Sequence, residues 1–292
     1  MPAQVVVIGD ALIDELVDAD GTAHIVGGSA LNVAVGLAIL GVPATLVAMI
    51  GDDIDGALIR SHLDDFGVHL LPTLTLGGTG IARSERVDGE PRYSFSDSMV
   101  ARTIAFDDAQ RAAVADAAVV AVSGFPFDVA AQYELLESAI GAAAPGTVVA
   151  VDPNPRTGLL HDADAFRERL EAFGGTAQLL KLGDDDAQLL YGRPVSEIAP
   201  RLLSRYPYVL ATEGRDGASV RVGDARWRHP SLATADAVVD TMGAGDAVYA
   251  SVIADVVERG LRDIDWYDAL ARAMGIAAAT VARPGALLRV PQ

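Results

Sequence analysis

The sequence predicts an α/β fold in which a doubly wound, mostly parallel sheet carries helices on both faces. Short apolar, β-branched runs alternate with helical patterns, and most of these runs end in glycine or polar residues. This alternation is typical of parallel strands joined by crossover helices. The predicted strands are residues 4–9, 45–50, 119–123, 148–152, 178–182 and 208–212. Ligands in such folds bind where the strands end.

Helical periodicity fills the intervals between the predicted strands. The predicted helices are residues 30–40, 55–66, 129–141, 162–173, 195–206, 246–260 and 266–281. Two segments, about residues 12–25 and 70–95, instead show short strands with turn signals and no helix between them. We expect them to form a small sheet on a single domain of residues 1–292. That sheet is either a lid over the site or a peripheral edge extension.

Composition excludes several functional classes. The chain has 292 residues, no cysteine and a formal net charge of −18. The lack of cysteine excludes disulfides and thiolate metal sites. The acidic surface argues against nucleic acid and anionic membranes as partners. No apolar run has transmembrane length, and the first residues lack the basic start of a signal peptide, so we expect a cytoplasmic protein.

The clearest chemical signal lies in residues 240–249. A strand-like apolar run, residues 237–239, precedes three small residues at the start of a predicted helix: Gly243, Ala244 and Gly245. Free backbone N–H groups at a helix start form an anion site, typically for phosphate. Asp246 would stand beside that anion, and taking a proton from an attacking hydroxyl explains a carboxylate there. The alternative is a glycine-rich turn with an ordinary first-turn aspartate.

Other polar residues follow the remaining strand ends. Asp14 could accept hydrogen bonds from a polyol, and Gly27-Gly28 with Asn32 opens a helix where a ligand could approach the backbone. Asp152, Asn154 and Arg156 could together hold a metal-bound phosphate. Alone, Asp14 is more typical of a turn or cap residue, and Gly27-Gly28 is a weak signal that lacks the phosphate-loop signature. Residues 152–156 could form only a capped turn.

Three further segments suit a nucleotide and its metal. Lys181 and the acidic run ending at Asp186 follow one strand, where magnesium could bind through water or the carboxylates could only favour the helix start. Thr212 and Gly214 lie in a tight turn after the next strand. The small apolar residues around Ala278 could pack beside a flat base or simply in the core.

Together, these motifs resemble the ribokinase-like (phosphofructokinase-B type) family of sugar kinases. The resemblance runs from Val5 to about Pro291 and is carried by two signatures, one from Gly27 to Gly41 and one from Asp240 to Asp246. The stretch 9–14 is most similar to the fructokinase branch, which usually has glutamate at the position of Asp10.

The resemblance implies transfer of the γ-phosphoryl group of Mg-ATP to a fructose-like or ribose-like hydroxyl, with Asp246 as the base. It implies an anion hole at Gly243, Ala244 and Gly245, and sugar contacts from Asp14, Gly28 and Asn32. It places Asn154, Lys181, Thr212, Gly214 and Ala278 around ATP, with Asp186 near Mg²⁺ through water. Asp240 and Thr241 would bind a monovalent cation, K⁺. Two lid sheets could pair in a homodimer.

Three features depart from the family pattern. Met242 replaces a frequent threonine, and we expect it to pack away from the site. The Asn-x-x-Glu element is replaced by Gly183 to Asp186, which puts the magnesium–water network in question. Phe125 and Phe127 either narrow the sugar pocket or belong to the core.

Rival functions remain open from the sequence. Arg83, Arg86 and Arg92 in the expected lid keep a nucleoside or ketodeoxy-sugar-acid kinase possible. The replaced magnesium element leaves open a non-catalytic sugar- or nucleotide-binding protein on the same fold.

Overall fold

A computed structural model describes residues 5–18, 21–87 and 90–291. For Asp18, residues 85–87 and residues 90–93 only the backbone is described. The strands are β1 Val5–Gly9, β2 Leu12–Asp18, β3 Gly21–Gly27, β4 Ala44–Gly51, β5 His69–Thr75, β6 Ile81–Val87, β7 Glu90–Phe95, β8 Val119–Ser123, β9 Val148–Asp152, β10 Leu179–Gly183, β11 Tyr208–Thr212, β12 Ala218–Val222 and β13 Ala225–His229. The α-helices are α1 Ser29–Ile39, α2 Ile54–Asp65, α3 Asp97–Val100, α4 Asp108–Ala115, α5 Ala130–Ile140, α6 Ala163–Phe173, α7 Asp184–Tyr191, α8 Val195–Leu202, α9 Ala244–Arg259 and α10 Trp266–Val281.

The predicted doubly wound α/β fold is confirmed. A nine-stranded sheet has the order β13-β12-β11-β10-β9-β8-β1-β4-β5, and its strands from β11 to β5 are parallel. Every residue of β1 is buried, as expected for a central strand covered on both faces. One apolar core includes Leu37, Ile253 and Leu270, and the other includes Leu136 and Phe166.

The separate small sheet is also present, with strand order β3-β2-β6-β7. The expectation that residues 70–95 all belong to it is wrong for the first part, because β5 pairs in parallel with β4 from Thr45↔His69 to Gly51↔Thr75. The strand follows α2 as the second strand of a βαβ unit. Its Leu70 and Leu71 pack against opposite cores, so an edge position in the main sheet accommodates both.

Two local expectations differ from the structure. Residues 237–239 do not form a strand: Ala235–Ala237 is one turn of 3₁₀-helix, and Val239 is 62% exposed. The segment pairs with none of the strands in the described part of the chain, and the amides of Val239 and Asp240 donate to the Val281 carbonyl at the end of α10. The antiparallel strands β12 and β13, which extend the sheet beyond β11, were not predicted.

The parallel arrangement brings the ends of β1, β8, β9, β10 and β11 to one edge of the sheet. The first turn of α1 reaches the same edge, because Ser29 Oγ lies 2.6 Å from Ser123 Oγ at the end of β8. The first turn of α9 is hydrogen-bonded to that turn of α1. In the described part of the chain, no helix is both long enough and apolar enough to cross a membrane.

Candidate active site

Asp246 lies at the centre of a contact between two helix starts. Its Oδ1 accepts a hydrogen bond from Ser29 Oγ at 2.7 Å, and its Oδ2 accepts one from Asn32 Nδ2 at 2.9 Å. Both donors belong to the first turn of α1, whereas Asp246 belongs to the first turn of α9. The residue is 8% exposed, so the carboxylate is held in a fixed orientation while remaining reachable.

The start of α9 has the geometry of an anion hole. Gly243 is the N-cap in a left-handed conformation, with φ 73°, and no side chain caps the helix. A Cβ on Gly243 would lie 2.5 Å from the Ala286 carbonyl oxygen, so only glycine fits there. The first amides of a helix have no intrahelical acceptor. Gly245 and Asp246 occupy two of these positions, beside the positive end of the helix dipole. The amide of Ala244, which was expected in the anion hole, instead donates to the Thr241 carbonyl at 3.3 Å.

Asp14 lies on the small sheet and is directed toward this site. A Cβ on Gly27 would lie 2.1 Å from Asp14 Oδ2, so the glycine makes room for the carboxylate. Burial, together with the nearby charges of Asp246 and Asp240, raises the pKa of Asp14 from 3.8 to about 6, against the opposing charge of Arg156. The site therefore already disfavours one more negative charge.

Asp10 lies just after β1, and like Asp14 it is influenced by the charge of Arg156. Burial raises the pKa of Asp10 to about 6, although Arg102 and Arg156 oppose the shift. Arg102 Nε lies 3.1 Å from Asp10 Oδ1. The other oxygen, Oδ2, is 2.9 Å from where a Cβ on Gly124 would be, so a side chain there would crowd the carboxylate.

Gly28 lies next to the backbone of Asp10. It is the N-cap of α1 with φ 111°, and a Cβ there would lie 2.5 Å from the Asp10 carbonyl oxygen. Its position lets the chain turn from the small sheet into α1 while the backbone stays close to Asp10. Sequence reasoning placed Gly28 at the sugar, and the structure puts it between Asp10 and Ser29.

Lys181 belongs to a buried charge cluster on the other side of Asp246. Its Nζ donates to Asp152 Oδ1 at 3.1 Å and lies 2.9 Å from Oδ2, with Asp186 Oδ2 at 3.9 Å. Burial alone would lower the pKa of Lys181, but these carboxylates raise it to about 12. Burial raises the pKa of Asp152 despite the attraction of Lys181. A Cβ on Gly245 would lie 3.1 Å from Nζ, which places the ammonium against the anion hole.

Few protein ligands for Mg²⁺ lie near this cluster. Asp186 Oδ2 accepts the Gly183 amide at 2.8 Å, which caps α7. Among the residues with described side chains, no group of three or more His, Asp or Glu residues could hold a metal ion. Mg²⁺ typically uses one or two carboxylates, water and substrate phosphates, so Asp186 fits such an ion through water.

Asp240 and Thr241 lie in the turn before the anion hole. Asp240 Oδ1 accepts the Met242 amide and Oδ2 accepts the Gly285 amide, both at 2.9 Å. Each oxygen keeps a second lone pair, so the carboxylate fits a monovalent cation while its backbone bonds fix the loop. Met242 is partly buried, and none of the described contacts connects its side chain with the site.

The remaining nucleotide candidates lie at the strand ends and on α10. Asn154 follows β9 in a left-handed conformation, with φ 40°, and is partly buried. Thr212 Oγ1 lies 3.3 Å from a Cβ position on Gly183, which brings the ends of β10 and β11 together. Gly214 begins a 3₁₀ turn with φ 52°. Ala278 is a partly buried residue of α10.

The structure decides two expectations about side chains. Asp152, Asn154 and Arg156 do not act as one group, as the sequence had suggested. Asp152 pairs with Lys181, whereas the exposed Arg156 acts electrostatically on Asp10 and Asp14. Phe125 and Phe127 are fully buried in the core beside α5 and α6, so they do not narrow a pocket.

The structure describes one of the three arginines that the sequence analysis offered for an acidic-sugar or nucleoside acceptor. Arg83 forms an ion pair with Glu15 on the neighbouring strand. The side chains of Arg86 and Arg92 lie outside the described part of the structure.

Sequence reasoning missed Ser29, Ser123 and the Asp10–Arg102 pair. A serine at a helix start ordinarily suggests a cap, and nothing in the sequence indicates that Ser29 instead contacts a residue 217 positions away. The fructokinase-like stretch 9–14 did draw attention to Asp10, but its partner Arg102 follows a short helix with no signal of its own.

Comparison with known proteins identifies the family of this chain. The sequence model of a family described as "pfkB family carbohydrate kinase" matches residues 3–292. The chain belongs to the pfkB family of carbohydrate kinases. A fructokinase of Rhizobium leguminosarum bv. trifolii is 30% identical over 259 residues, which are 85% of this chain and 78% of the relative. An ATP-dependent ribose-1-phosphate kinase of Halopiger xanaduensis is 32% identical over 283 residues, 94% of this chain and 88% of that one.

Solved structures share the fold of this pfkB family member. A Xylella fastidiosa fructokinase with bound ATP has a TM-score of 0.83 and 22% identity, covering 98% of this chain and 94% of its own. A Vibrio cholerae fructokinase variant holding fructose, ADP and potassium has a TM-score of 0.79 and 20% identity, with 99% and 95% coverage. An Escherichia coli putative ribokinase II with ATP and Mg²⁺ has a TM-score of 0.79 and 23% identity, with 98% and 94% coverage. Family membership sets aside the non-catalytic alternative.

Proposed function

We propose that this pfkB family member transfers the γ-phosphoryl group of ATP to a hydroxyl of a neutral, fructose-like or ribose-like sugar. One observation carries the proposal: Asp246 stands in the first turn of α9, beside the anion hole, with both oxygens oriented by α1. A base within reach of the acceptor hydroxyl and donors aimed at the transferring group are the two parts that phosphoryl transfer needs.

The reaction balances with the residues at this site. The acceptor O–H bond breaks as Asp246 takes the proton, and the acceptor oxygen forms a bond to the γ-phosphorus. The bond from that phosphorus to the bridging oxygen breaks and leaves ADP. The amides at the start of α9 stabilise the charge on the transferring group, and the nearby Lys181 ammonium adds a fixed positive charge.

ATP would lie along the ends of β9, β10 and β11. We assign contacts with it to Asn154, Lys181, Thr212 and Gly214, with Ala278 beside the base. Mg²⁺ bound to ATP would neutralise charge on the phosphates, and Asp186 would reach it through water. Asp240 and Thr241 would bind K⁺ and thereby stiffen the loop that carries the anion hole.

The acceptor pocket favours a neutral polyol. Asp14, Asn32 and Asp10 supply hydrogen-bonding groups, and the two carboxylates already lie where negative charge is disfavoured. Arg83, which could have bound an acidic sugar, is paired with Glu15. A carboxylate accepts hydroxyl hydrogen bonds strongly, which suits a sugar with several hydroxyls.

A phosphorylated or acidic acceptor is the second candidate, and Arg156 favours it. This exposed arginine influences both Asp10 and Asp14 electrostatically, so it lies close enough to the acceptor side to meet an anionic group at the pocket entrance. The similarity to a ribose-1-phosphate kinase is consistent with this candidate.

We also propose that the small sheet acts as a lid and pairs with its copy in a homodimer. Its edge strand β3 is exposed over Thr22 to His24. Exposed edges offer unpaired backbone groups to another strand. Light scattering coupled to gel filtration tests this proposal, and a purely monomeric protein at assay and higher concentrations would contradict it.

A panel of acceptors tests the proposed function. ADP formation is measured with Mg-ATP and fructose, ribose, ribose 1-phosphate, a ketodeoxy sugar acid and a nucleoside, each with and without potassium. The first proposal expects the highest kcat/KM for fructose or ribose. A higher value for an anionic acceptor, lost in Arg156→Ala, would establish the second candidate. Binding without turnover of any acceptor would contradict both.

A further inference from the structure

Ser29 occupies an unusual position for a serine at a helix start. It is the first residue of α1, but the helix has no side-chain cap hydrogen bond. Its hydroxyl donates instead to Asp246 Oδ1 on another helix, at 2.7 Å. The N-cap position itself is occupied by Gly28, so the usual role of serine at a helix start, satisfying the free amides of its own helix, does not explain Ser29.

A second hydroxyl fixes the direction of this hydrogen bond. Ser29 Oγ lies 2.6 Å from Ser123 Oγ. The single hydroxyl proton of Ser29 goes to Asp246, so Ser123 must be the donor to Ser29. The order of donation is thus Ser123 to Ser29 to Asp246.

Ser123 is anchored more firmly than Ser29. It is fully buried at the end of β8, where it lies between Gly9 of β1 and Asp152 of β9 in the sheet. The next residue, Gly124, turns with φ 66°, and a Cβ there would lie 3.4 Å from the Ser29 Cβ. The sheet therefore holds one end of a hydroxyl chain whose other end is Asp246.

We infer that Ser29 is a positioning residue for Asp246 and that Ser123 sets the orientation of the Ser29 hydroxyl. The inference rests on the proposed function of Asp246 as the base. A hydrogen bond to the ionised carboxylate favours the form that accepts a proton. It also holds Oδ1 in place, so that Oδ2, on the Asn32 side, is the oxygen presented to the acceptor.

The test compares Ser29→Ala, Ser29→Thr, Ser123→Ala and the double alanine variant, with exposed Ser204→Ala as the matched control. Ser29→Ala should lower kcat about 10- to 100-fold, the effect expected for losing a hydrogen bond to a charged group. It should move the acidic limb of the kcat/KM profile to higher pH and leave the KM for ATP unchanged. Ser29→Thr should restore both kcat and the profile.

The double variant distinguishes a hydrogen-bond chain from Ser123 through Ser29 to Asp246 from two independent effects of the serines. Ser123→Ala should cause a smaller change in the same direction, and it should add nothing in the Ser29→Ala background. Additive losses, an unmoved pH profile or no rescue by threonine would overturn the inference. A Ser204→Ala variant with the same defects would also do so.

Carboxyl ¹³C NMR of Asp246 gives a readout that does not need turnover. At a fixed neutral pH, its carboxyl chemical shift should change in Ser29→Ala and in Ser123→Ala but not in Ser204→Ala, because the hydroxyl donor to Oδ1 is lost or misoriented. An unchanged shift in both folded variants would overturn the inference. A wild type that phosphorylates no acceptor would defeat the proposed function, while the NMR comparison would still decide the role of Ser29. If Ser29→Ala fails to fold, Ser123→Ala carries the test.

Discussion

Asp14 shows how a binding residue can reduce the stability of its own fold. Its carboxylate is held in a site where burial and neighbouring acids disfavour ionisation, which raises its pKa from 3.8 to about 6. Between these values the folded protein binds a proton more tightly than the unfolded chain does. The contribution of Asp14 to the free energy of unfolding therefore falls as the pH rises through this window, and it is constant above it.

Asp14→Asn should remove this cost of ionisation. We expect the melting temperature of the variant, relative to wild type, to be higher at pH 8 than at pH 4.5, because only the wild type carries the disfavoured charge at pH 8. The same variant should show a raised KM for the sugar, since the amide accepts hydroxyl hydrogen bonds less strongly. Thermal unfolding at both pH values measures the first effect.

Exposed Asp263→Asn is the control for a change of one formal charge. It should shift the melting temperature by similar small amounts at both pH values. A pH-independent difference between wild type and Asp14→Asn would show that the folded environment does not raise the pKa of Asp14.

The sequence predicted which residues belong to the site better than it predicted their contacts. Asp14, Asn32 and Asp246 were predicted as site residues because they follow strand ends or open helices, positions that parallel sheets bring together. The link from Ser123 to Ser29 was not predicted, because it joins residues 94 positions apart and depends on side-chain directions. Their roles remain predictions until the variants are assayed.

Strand β3 positions Asp14 through its last residue. A methyl group on Gly27 would occupy the space of the Asp14 carboxylate, with Oδ2 only 2.1 Å from the Cβ position. The obstructing atom is the end of a flexible side chain, so the strand can remain paired while the carboxylate moves. Gly27→Ala should therefore raise the KM for the sugar about tenfold or more, the effect of losing roughly one charged hydrogen bond.

The KM for ATP and the melting temperature should change little in Gly27→Ala. Gly175→Ala, at an exposed turn after α6, is the matched glycine control and should leave both KM values unchanged. Steady-state kinetics with each substrate varied in turn makes the comparison. A large rise in the KM for ATP would show that Gly27 supports more than the position of Asp14.

Elements with strong periodicity were predicted well, and those that depend on their neighbours were not. The central strands and the helices α1, α2, α9 and α10 match the predicted segments closely. Strand β5 was assigned to the lid because the sequence shows a strand but not its partner. Residues 237–239 have strand-like composition but meet no edge, and their amides bind the end of α10 instead.

The charge of the whole molecule should affect ATP more than the sugar. A net charge of −18 repels a polyanionic nucleotide over distances comparable to the Debye length. We expect kcat/KM for Mg-ATP to rise as ionic strength increases from roughly 20 mM to roughly 200 mM, because salt screens the repulsion. The value for a neutral sugar should change little.

The salt experiment needs constant K⁺ and Mg²⁺, so tetramethylammonium chloride adjusts the ionic strength. A decrease of kcat/KM for Mg-ATP over this range would contradict the expectation. It would show that local positive charge at Lys181 and the start of α9 governs the approach of ATP.

The fold class follows from the alternation of strands and helices, but the order of the strands does not. Parallel alternation is compatible with several orders, and the observed β8-β1-β4-β5 arrangement depends on how the crossovers pack. That order determines which strand ends become neighbours. The sequence could therefore predict the types of residue in the site before it could predict their contacts.

The replacement Asp246→Asn tests the central claim most directly. The amide nearly preserves the shape of the side chain, but it cannot take the acceptor proton. We expect kcat with the best acceptor to fall by at least ~100-fold, the range for loss of a positioned base. The melting temperature should stay within a few degrees of wild type, and exposed Asp263→Asn should keep full activity.

ADP formation under saturating Mg-ATP and sugar is the decisive measurement. A folded Asp246→Asn variant with less than about 1% of wild-type turnover is the predicted result. A folded variant with turnover equal to wild type would contradict the role of Asp246 as the base.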